Sequence, residues 1–151
     1  MESKFNYKNF SIVIPIYNEE EILEESTNAI FSLCKSMGID FEIIFSENGS
    51  TDNTKKIADE LIKKYSEIKF ISNPEPNYGN ALKAGFEIAK NDLVISFDID
   101  YYSESFLREA LMLDSKYSSI TASKRLGSSE DGRRSVSYTH LRAHETETNL
   151  V

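Results

Sequence analysis

The sequence contains little of several residue types that would define other kinds of protein. Among 151 residues there is one cysteine and no tryptophan, which excludes a disulfide scaffold and a cysteine-rich zinc site. No apolar run approaches the roughly 18 residues of a membrane-spanning helix, and the first ten residues lack the basic and apolar regions of a signal peptide. We therefore expect one cytoplasmic domain, since domains usually have about 100–150 residues.

Acidic residues outnumber basic ones, 25 against 17, and the formal net charge is −8. This balance argues against a nucleic-acid-binding protein, whose surface is basic, but it leaves room for a local basic pocket that binds phosphate. With 40% hydrophobic and 28% charged residues, the composition is that of a folded domain rather than a disordered chain.

Short apolar segments alternate with segments whose apolar residues recur at helical spacing. The predicted strands are 11–16, 41–45, 69–72, 93–97 and 119–122. The predicted helices have apolar stripes within 22–37, 57–65, 81–89 and 106–113. Cys34 lies on the first stripe, so we expect a core residue there rather than a nucleophile. The alternation predicts an α/β fold with a mostly parallel sheet covered on both faces.

Polar clusters follow three of the predicted strands, at 17–19, 47–50 and 98–100. Ligands of open parallel sheets bind outside the carboxyl ends of the strands. The positions of these clusters therefore predict a ligand site at that edge of the sheet.

Asp98 and Asp100 come directly after the fourth predicted strand. Two carboxylates at this spacing could place oxygen atoms around Mg²⁺, which typically takes one or two carboxylates together with substrate phosphates. An exposed aspartate pair at a strand end is the simpler alternative, because Asp-x-Asp alone is a weak signal.

The other two clusters carry groups that suit a nucleoside. Tyr17 could stack on a base, and the side chains of 47–52 could accept hydrogen bonds from it. A glycine turn followed by a helix cap is the plainer explanation of 47–52, and both can hold together. Pro15 cannot donate a ladder hydrogen bond and therefore predicts a bulge or the end of the strand.

Two further features could bind phosphate. The helix that opens at 77–80 has N–H groups and a dipole that favour an anion, and Gly85 would let this helix approach the sheet closely. Lys124 and Arg125 follow the fifth predicted strand and could clamp an anion, whereas a solvated basic pair is the alternative.

The C-terminal residues differ in character from the rest of the chain. A polar loop covers 127–134, and 135–151, which contains both histidines, shows no sustained apolar period. The run SYTHLRAHETETNLV resembles translated cloning or adaptor sequence. We therefore predict a functional core at 1–126, the start of an acceptor region at 127–134, and a non-native, disordered tail at 135–151 on a C-terminally truncated domain.

Four motifs in order resemble the nucleotide-sugar glycosyltransferases of family 2: SIVIPIYNE (11–19), ENGSTD (47–52), NYGNALKAG (77–85) and DID (98–100). Within that family the chain is most similar to dolichyl- or polyprenyl-phosphate mannose and glucose synthases, and SKR (123–125) resembles their acceptor-phosphate motif. The resemblance implies a GT-A fold, which is a Rossmann-like three-layer sandwich.

The resemblance also implies a role for individual residues. The catalytic residues would be Asp98, Asp100 and Arg125, and both aspartates would hold Mg²⁺ or Mn²⁺. The acceptor phosphate would contact Ser123, Lys124 and Arg125. The nucleotide site would comprise Pro15, Tyr17, Glu19, Glu47, Asn48, Ser50, Asn77, Gly79 and Asp98. The family usually has Asp-Asp where this chain has Glu47 and Asn48, so the identity of the base stays open.

The implied reaction transfers a hexose, with inversion, from GDP-mannose or UDP-glucose to polyprenyl or dolichyl phosphate in glycan or cell-envelope biosynthesis. A lipid phosphate is anionic at pH 7 and needs no general base, whereas a hydroxyl acceptor needs one. No histidine precedes residue 140, which leaves only Asp or Glu for that role. In related enzymes with hydroxyl acceptors the base lies beyond Asp100, and its apparent absence here favours the lipid phosphate, although a truncation would have the same result. The reaction would take place at the cytoplasmic face of the membrane, with peripheral contact through C-terminal segments.

Two alternatives remain open. One is a catalytically incomplete fragment that only binds the nucleotide sugar, and the other is a family 2 transferase with a saccharide hydroxyl acceptor. A sugar-nucleotide pyrophosphorylase is discounted because it would carry a glycine-rich basic loop after the first strand. A phosphatase with an Asp-x-Asp nucleophile would carry that motif after its first strand rather than its fourth.

Overall fold

The computed structural model describes residues 5–113, 119–122 and 136–139. The strands are β1 (Asn9–Ile16), β2 (Asp40–Glu47), β3 (Ile68–Ser72), β4 (Val94–Ser96), β5 (Ser119–Ala122) and β6 (Val136–Thr139). The helices are α1 (Leu23–Ser36), α2 (Thr54–Lys64), α3 (Tyr78–Ile88) and α4 (Glu104–Met112). All five predicted strands and all four predicted helices are therefore present, and β5 has the predicted bounds.

The six strands form one sheet in the order β3-β2-β1-β4-β5-β6. Neighbours from β3 to β5 are parallel, and β6 is antiparallel to β5. The predicted mostly parallel sheet is thereby confirmed. β6 lies within 135–151, where we predicted disorder, and the prediction does not hold for these four residues because their backbone pairs with the edge of β5. The remainder of that segment and 127–134 lie outside the described residues.

Helices cover both faces of the sheet, as predicted, but unequally. The larger core lies on the face of α1, α2 and α4, where fully buried side chains such as Ile14, Phe45 and Phe97 meet the helices. The smaller core lies under α3 and contains Val13, Ile44 and Leu82. Since the two faces alternate along each strand, near-continuous apolar strands are what such a sheet requires.

Cys34 belongs to the larger core, which confirms its predicted place. Its side chain is fully buried, and burial raises the pKa of its thiol to about 12. A thiol held in this form at neutral pH is a poor nucleophile.

α3 lies unusually close to β1. A Cβ placed on Gly85 would come within 2.3 Å of Cγ1 of Val13, so only glycine permits this approach, as predicted. One turn earlier the hydroxyl of Ser46 donates to the Ala81 carbonyl at 2.6 Å. These contacts set the height of α3 above the sheet.

Pro15 lies within β1 without breaking the ladder. Ser11 donates its backbone N–H to Leu93, and the Val13 carbonyl accepts from Phe97, so odd-numbered residues of β1 turn towards β4. The pairing of β1 with β4 stops at Val13. Pro15 therefore sits where β4 has already ended and no donor is needed. β1 itself continues to Ile16, so the residue forms neither a bulge nor the last position of the strand but lies one residue before its end.

None of the helices within the described residues combines the length and the apolar character needed to cross a membrane.

Candidate functional site

The three polar clusters follow neighbouring strands of the sheet. β1 lies between β2 and β4, so their carboxyl ends meet at one edge. The chain runs from β1 through β2 to β3 on one side and resumes with β4 on the other. This reversal of strand order is where open α/β sheets form a crevice for ligands. The structure thus brings 17–19, 47–50 and 98–100 together, as predicted.

The loops after β1 and β2 are interlocked by hydrogen bonds. The Asn18 backbone N–H donates to Oγ of Ser50 at 3.0 Å, and Oδ1 of Asn18 accepts from the Thr51 N–H at 2.8 Å. The Glu19 N–H donates to Oγ1 of Thr54 at 2.8 Å. Asn18 has φ of 50°, a left-handed conformation that asparagine tolerates better than most residues. The two loops therefore behave as one unit.

Asp52 extends this interlock to the start of α2. Its Oδ2 accepts from the Glu20 N–H at 3.3 Å, and its Oδ1 accepts from the Thr54 N–H at 2.9 Å. Burial tends to raise the pKa of Asp52, but the hydrogen bonds from Thr54 and Glu20 hold it below its usual value. We predicted a turn followed by a helix cap here. The bond from Thr54 closes a turn at the first residue of α2, but the N-cap residue is Asn53, whose side chain makes no capping hydrogen bond. The links to the β1 loop were missed, because no local pattern reveals a partner 32 positions away.

Glu47 stabilises the same unit from inside. Its side chain is fully buried. Oε1 accepts from the Ser50 N–H, Oε2 accepts from the Ser72 hydroxyl at 3.0 Å, and Nζ of Lys55 lies 3.6 Å from Oε2. Burial alone would raise the pKa of Glu47, but the hydrogen bonds from Ser50 and Ser72 lower it below its usual value. The carboxylate therefore shapes the wall of the site and does not face outward in this structure.

Asn48 connects β1, β2 and the start of α3. Its backbone N–H donates to Ile16, and its Oδ1 accepts from the Asn77 N–H at 2.7 Å. Asn77 caps α3 by accepting from the Asn80 N–H at 3.0 Å, so the helix opens where we predicted. Gly49 has φ of 77°, and a Cβ there would lie 3.1 Å from the Pro74 carbonyl oxygen. The 73–77 loop thus packs directly on the β2 turn.

The end of β4 is more open. Asp98 is half-buried, Ile99 is buried and Asp100 is exposed. The Tyr101 N–H donates to the Asp98 carbonyl at 2.9 Å. Oδ1 of Asp98 accepts from the Tyr78 hydroxyl at 2.9 Å. Because Ile99 turns into the core, both carboxylates are left on the outer side of the strand end.

The donor set at this end suits a hard divalent cation. Within the described residues no group of three His, Cys, Asp or Glu side chains converges on one point. Asp98 and Asp100 would therefore supply two carboxylates and leave the other positions to phosphate and water, which is how Mg²⁺ is usually held. These residues fit Mg²⁺ or Mn²⁺ bound together with a diphosphate.

Other predicted site residues have simpler surroundings. Tyr17 is 45% exposed at the end of β1, which is compatible with stacking. Pro15 is buried and Gly79 is exposed in the first turn of α3. Ser123, Lys124 and Arg125 lie outside the described residues.

A cavity of about 490 Å³ lies at the opposite edge of the sheet. It opens at the amino ends of β1 and β2 beside Asn9, Asp40 and Lys90, where Lys35 pairs with Glu67 at 3.5 Å. The charges there are mixed, and none of the motifs reaches this edge. The cavity therefore does not compete with the carboxyl edge as the candidate site.

Comparison with known proteins identifies one family. Glycosyl transferase family 2 matches residues 11–147. Over 92 residues, 60% of this chain, the sequence is 38% identical to the undecaprenyl-phosphate 4-deoxy-4-formamido-L-arabinose transferase of Proteus mirabilis (strain HI4320). It is 37% identical over 92 residues to the protein of the same name from Edwardsiella ictaluri (strain 93-146). The match spans 28% of the length of each of these relatives.

Solved structures with the same fold include a mannosyltransferase and the protein TarS. The mannosyltransferase PcManGT from Pyrobaculum calidifontis, in complex with GDP-Man and Mn²⁺, has a TM-score of 0.60 at 18% identity, covering 72% of this chain and 33% of that one. S. aureus TarS 1–349, in complex with UDP-GlcNAc, has a TM-score of 0.55 at 23% identity, covering 68% and 30%. These likenesses confirm the predicted GT-A fold.

Proposed function

The chain belongs to glycosyl transferase family 2, and on that premise we propose that it binds a nucleotide-diphosphate sugar and transfers the hexose to a polyprenyl-type lipid phosphate. The observation that carries the proposal is the convergence at one edge of the sheet. Three features meet there: the interlocked loops after β1 and β2, the capped start of α3, and two carboxylates after β4.

Each part of this edge suits one part of the donor. The interlocked loops offer Tyr17 and the more exposed polar groups of Ser50 and Thr51 to the nucleoside, while Glu47 and Asn48 hold the loop in place from inside. The first turn of α3 directs backbone N–H groups and the positive end of its dipole towards an anion, which suits the diphosphate. Asp98 and Asp100 would hold Mg²⁺ or Mn²⁺, which would neutralise charge on the departing nucleoside diphosphate.

The acceptor is proposed from charge and from the relatives. The two curated relatives are named as undecaprenyl-phosphate transferases. A phosphate acceptor is anionic at neutral pH, so its oxygen can attack the anomeric carbon, with inversion, without a general base. Ser123, Lys124 and Arg125 would hold that phosphate. We place the reaction at the cytoplasmic face of a membrane, where such a lipid presents its head group.

A binding and transfer assay with a matched pair of variants tests the proposal. UDP and GDP binding is measured by calorimetry with and without Mn²⁺, and nucleotide release is measured from a panel of UDP- and GDP-sugars with polyprenyl phosphate. Asp100→Ala should abolish the metal-dependent part of binding. Glu104→Ala removes another exposed carboxylate, which among the described residues pairs with Arg108 one turn along α4, and should leave binding unchanged.

The outcomes separate the alternatives. Metal-dependent binding together with sugar transfer supports the full proposal. Binding without transfer to any acceptor favours a chain that binds the donor without completing the reaction. A chain that binds neither nucleotide contradicts both.

A further inference from the structure

Tyr78 joins the first turn of α3 to the end of β4. Its hydroxyl donates to Oδ1 of Asp98 at 2.9 Å, while 53% of the residue remains exposed. α3 packs on β1 and β2, whereas Asp98 follows β4 on the other side of the point where the strand order reverses. The hydrogen bond therefore crosses the mouth of the crevice between β1 and β4.

The backbone that carries Tyr78 is held from two directions. Asn48, at the end of β2, accepts from the Asn77 N–H immediately before it. Asn77 in turn caps the helix through Asn80, and the contact of Gly85 with Val13 fixes the helix against the sheet. The Tyr78 hydroxyl therefore reaches Asp98 from α3, whose position is fixed by β1 and β2 and not by the loop after β4.

The Asp98 carboxylate needs a contact that fixes its orientation. The terminal torsion of an aspartate is broad and roughly two-fold, so a half-exposed carboxylate samples many orientations. An ionised carboxylate has about four acceptor sites. One bond from a neutral phenol therefore orients the group and leaves sites for a cation, whereas a lysine or arginine in the same place would repel it.

We propose that Tyr78 is a positioning residue for the divalent cation, and that its hydroxyl holds the Asp98 carboxylate in the orientation that binds this cation together with a nucleoside diphosphate. This inference rests on the proposed function, in which Asp98 and Asp100 hold the metal. Groups that orient a metal ligand through a hydrogen bond typically change metal affinity by about 10–100-fold.

The test compares Tyr78→Phe with Tyr65→Phe in the full chain. Tyr65 also donates its hydroxyl to a side chain, Oδ1 of Asn28 at 2.6 Å, but it packs on the opposite face of the sheet, so it controls for the loss of a phenol hydrogen bond. Free Mn²⁺ is measured by electron paramagnetic resonance in the presence of UDP or GDP, and nucleotide affinity is measured separately in EDTA.

Tyr78→Phe should raise the Kd for Mn²⁺ about 10-fold and leave nucleotide affinity in EDTA within about twofold, a split that a merely structural role would not produce. Tyr65→Phe should change neither value. Equal Mn²⁺ affinity of wild type and Tyr78→Phe would overturn the inference and leave the proposed function standing. A wild-type chain that takes up no Mn²⁺ with either nucleotide would overturn both, and this failure is visible before any variant is made.

Discussion

Glu42 and Glu47 are two buried glutamates on the same strand, and they serve opposite edges of the sheet. Glu42 lies near the amino end of β2 and accepts from the Ser11 hydroxyl at 2.6 Å and from the Lys90 N–H at 2.7 Å. Glu47 lies at the carboxyl end and accepts from the Ser50 N–H and the Ser72 hydroxyl. Each also faces one lysine, and the two hold different elements in place.

The difference lies in the element that each carboxylate stabilises. Glu42 ties Lys90, two residues after the end of α3, to β1 and β2, far from the polar strand ends, so its contribution is to the fold. Glu47 ties down the loop that would face the proposed ligand. Burial and hydrogen bonding of a charge therefore do not mark a functional residue by themselves, and it is the position relative to the carboxyl edge that separates these two glutamates.

The largest expected effect is on stability when Glu42 is lost. Glu42→Ala leaves the Ser11 hydroxyl and the Lys90 N–H without their acceptor and should lower the free energy of unfolding by about 3 kcal/mol, measured by urea denaturation at pH 7. Glu104→Ala, which breaks an exposed pair with Arg108, should cost less than about 0.5 kcal/mol. Equal effects of the two substitutions would contradict the role given to Glu42.

Nucleotide affinity should separate the two glutamates. Glu47→Gln removes the negative charge that faces Lys55 and replaces the oxygen that accepts from Ser72 with an NH₂ group. The Ser72 hydroxyl must then accept instead of donate, so the loop loosens. Affinity for UDP or GDP, measured by calorimetry in EDTA, should fall about 10-fold, which corresponds to about 1.4 kcal/mol. Glu42→Gln should leave the affinity of the folded protein unchanged. A similar loss in both variants would show that the position along β2 does not matter.

The free energy of unfolding should fall in acid, because Glu42 and Glu47, near the two ends of β2, both become protonated. Burial raises the pKa of Glu42, but the hydrogen bonds from Lys69, Ser11 and Lys90 lower it overall, and the pKa of Glu47 is also lowered. In the unfolded chain both carboxyl groups have a pKa of about 4.3. The stabilisation is therefore complete above that pH and is lost as the pH falls through the lower folded values.

Urea midpoints measured from pH 7 down to pH 3 test this. Wild type should lose stability more steeply below about pH 4.3 than the double variant Glu42→Gln/Glu47→Gln, in which neither group titrates. Parallel curves for the two proteins would contradict the assignment of acid sensitivity to these carboxylates.

Substitution of Lys69 or Lys55 should change the free energy of unfolding least, and by unequal amounts. Nζ of Lys69 lies 2.7 Å from Oε2 of Glu42, and among the described residues no other donor reaches that oxygen. Lys55 lies 3.6 Å from Oε2 of Glu47, which Ser72 also bonds. We expect Lys69→Met to cost about 1 kcal/mol and Lys55→Met less than about 0.5 kcal/mol in urea denaturation. The reverse order would be inconsistent with these contacts.

Much of the fold was predictable because its signals are local. Apolar periodicity located every strand and helix within the described residues apart from β6. It also predicted that Cys34 lies in the core. β4 is shorter than the apolar run 93–97 because Leu93 and Phe97 extend beyond its pairing with β1. β6 was missed since its four residues are too few for a sustained apolar period, and its backbone pairing with β5 makes it a strand.

The location of the candidate site was predictable from the sequence, whereas most of the contacts between its residues were not. Asp98 and Asp100 stand out because two carboxylates follow a buried strand. Asn18 and Asp52 did not, because each looks like an ordinary turn residue until the β1 and β2 loops are seen side by side. Glu47 was predicted at the site, but its sealed position depends on Ser72, 25 positions later in the chain.

The sequence by itself determined the order of strands and helices and the three polar strand ends, since both follow from patterns within a few neighbouring residues. Only the tertiary structure decided that Glu47 is enclosed, that the β1 and β2 loops form one unit, and that Tyr78 reaches Asp98. Those contacts depend on the strand order and on how closely α3 approaches β1 at Gly85 and Val13. Gly85 predicted that α3 could approach the sheet closely, but its contact there is Val13, far away in the chain, and no local pattern identifies that partner.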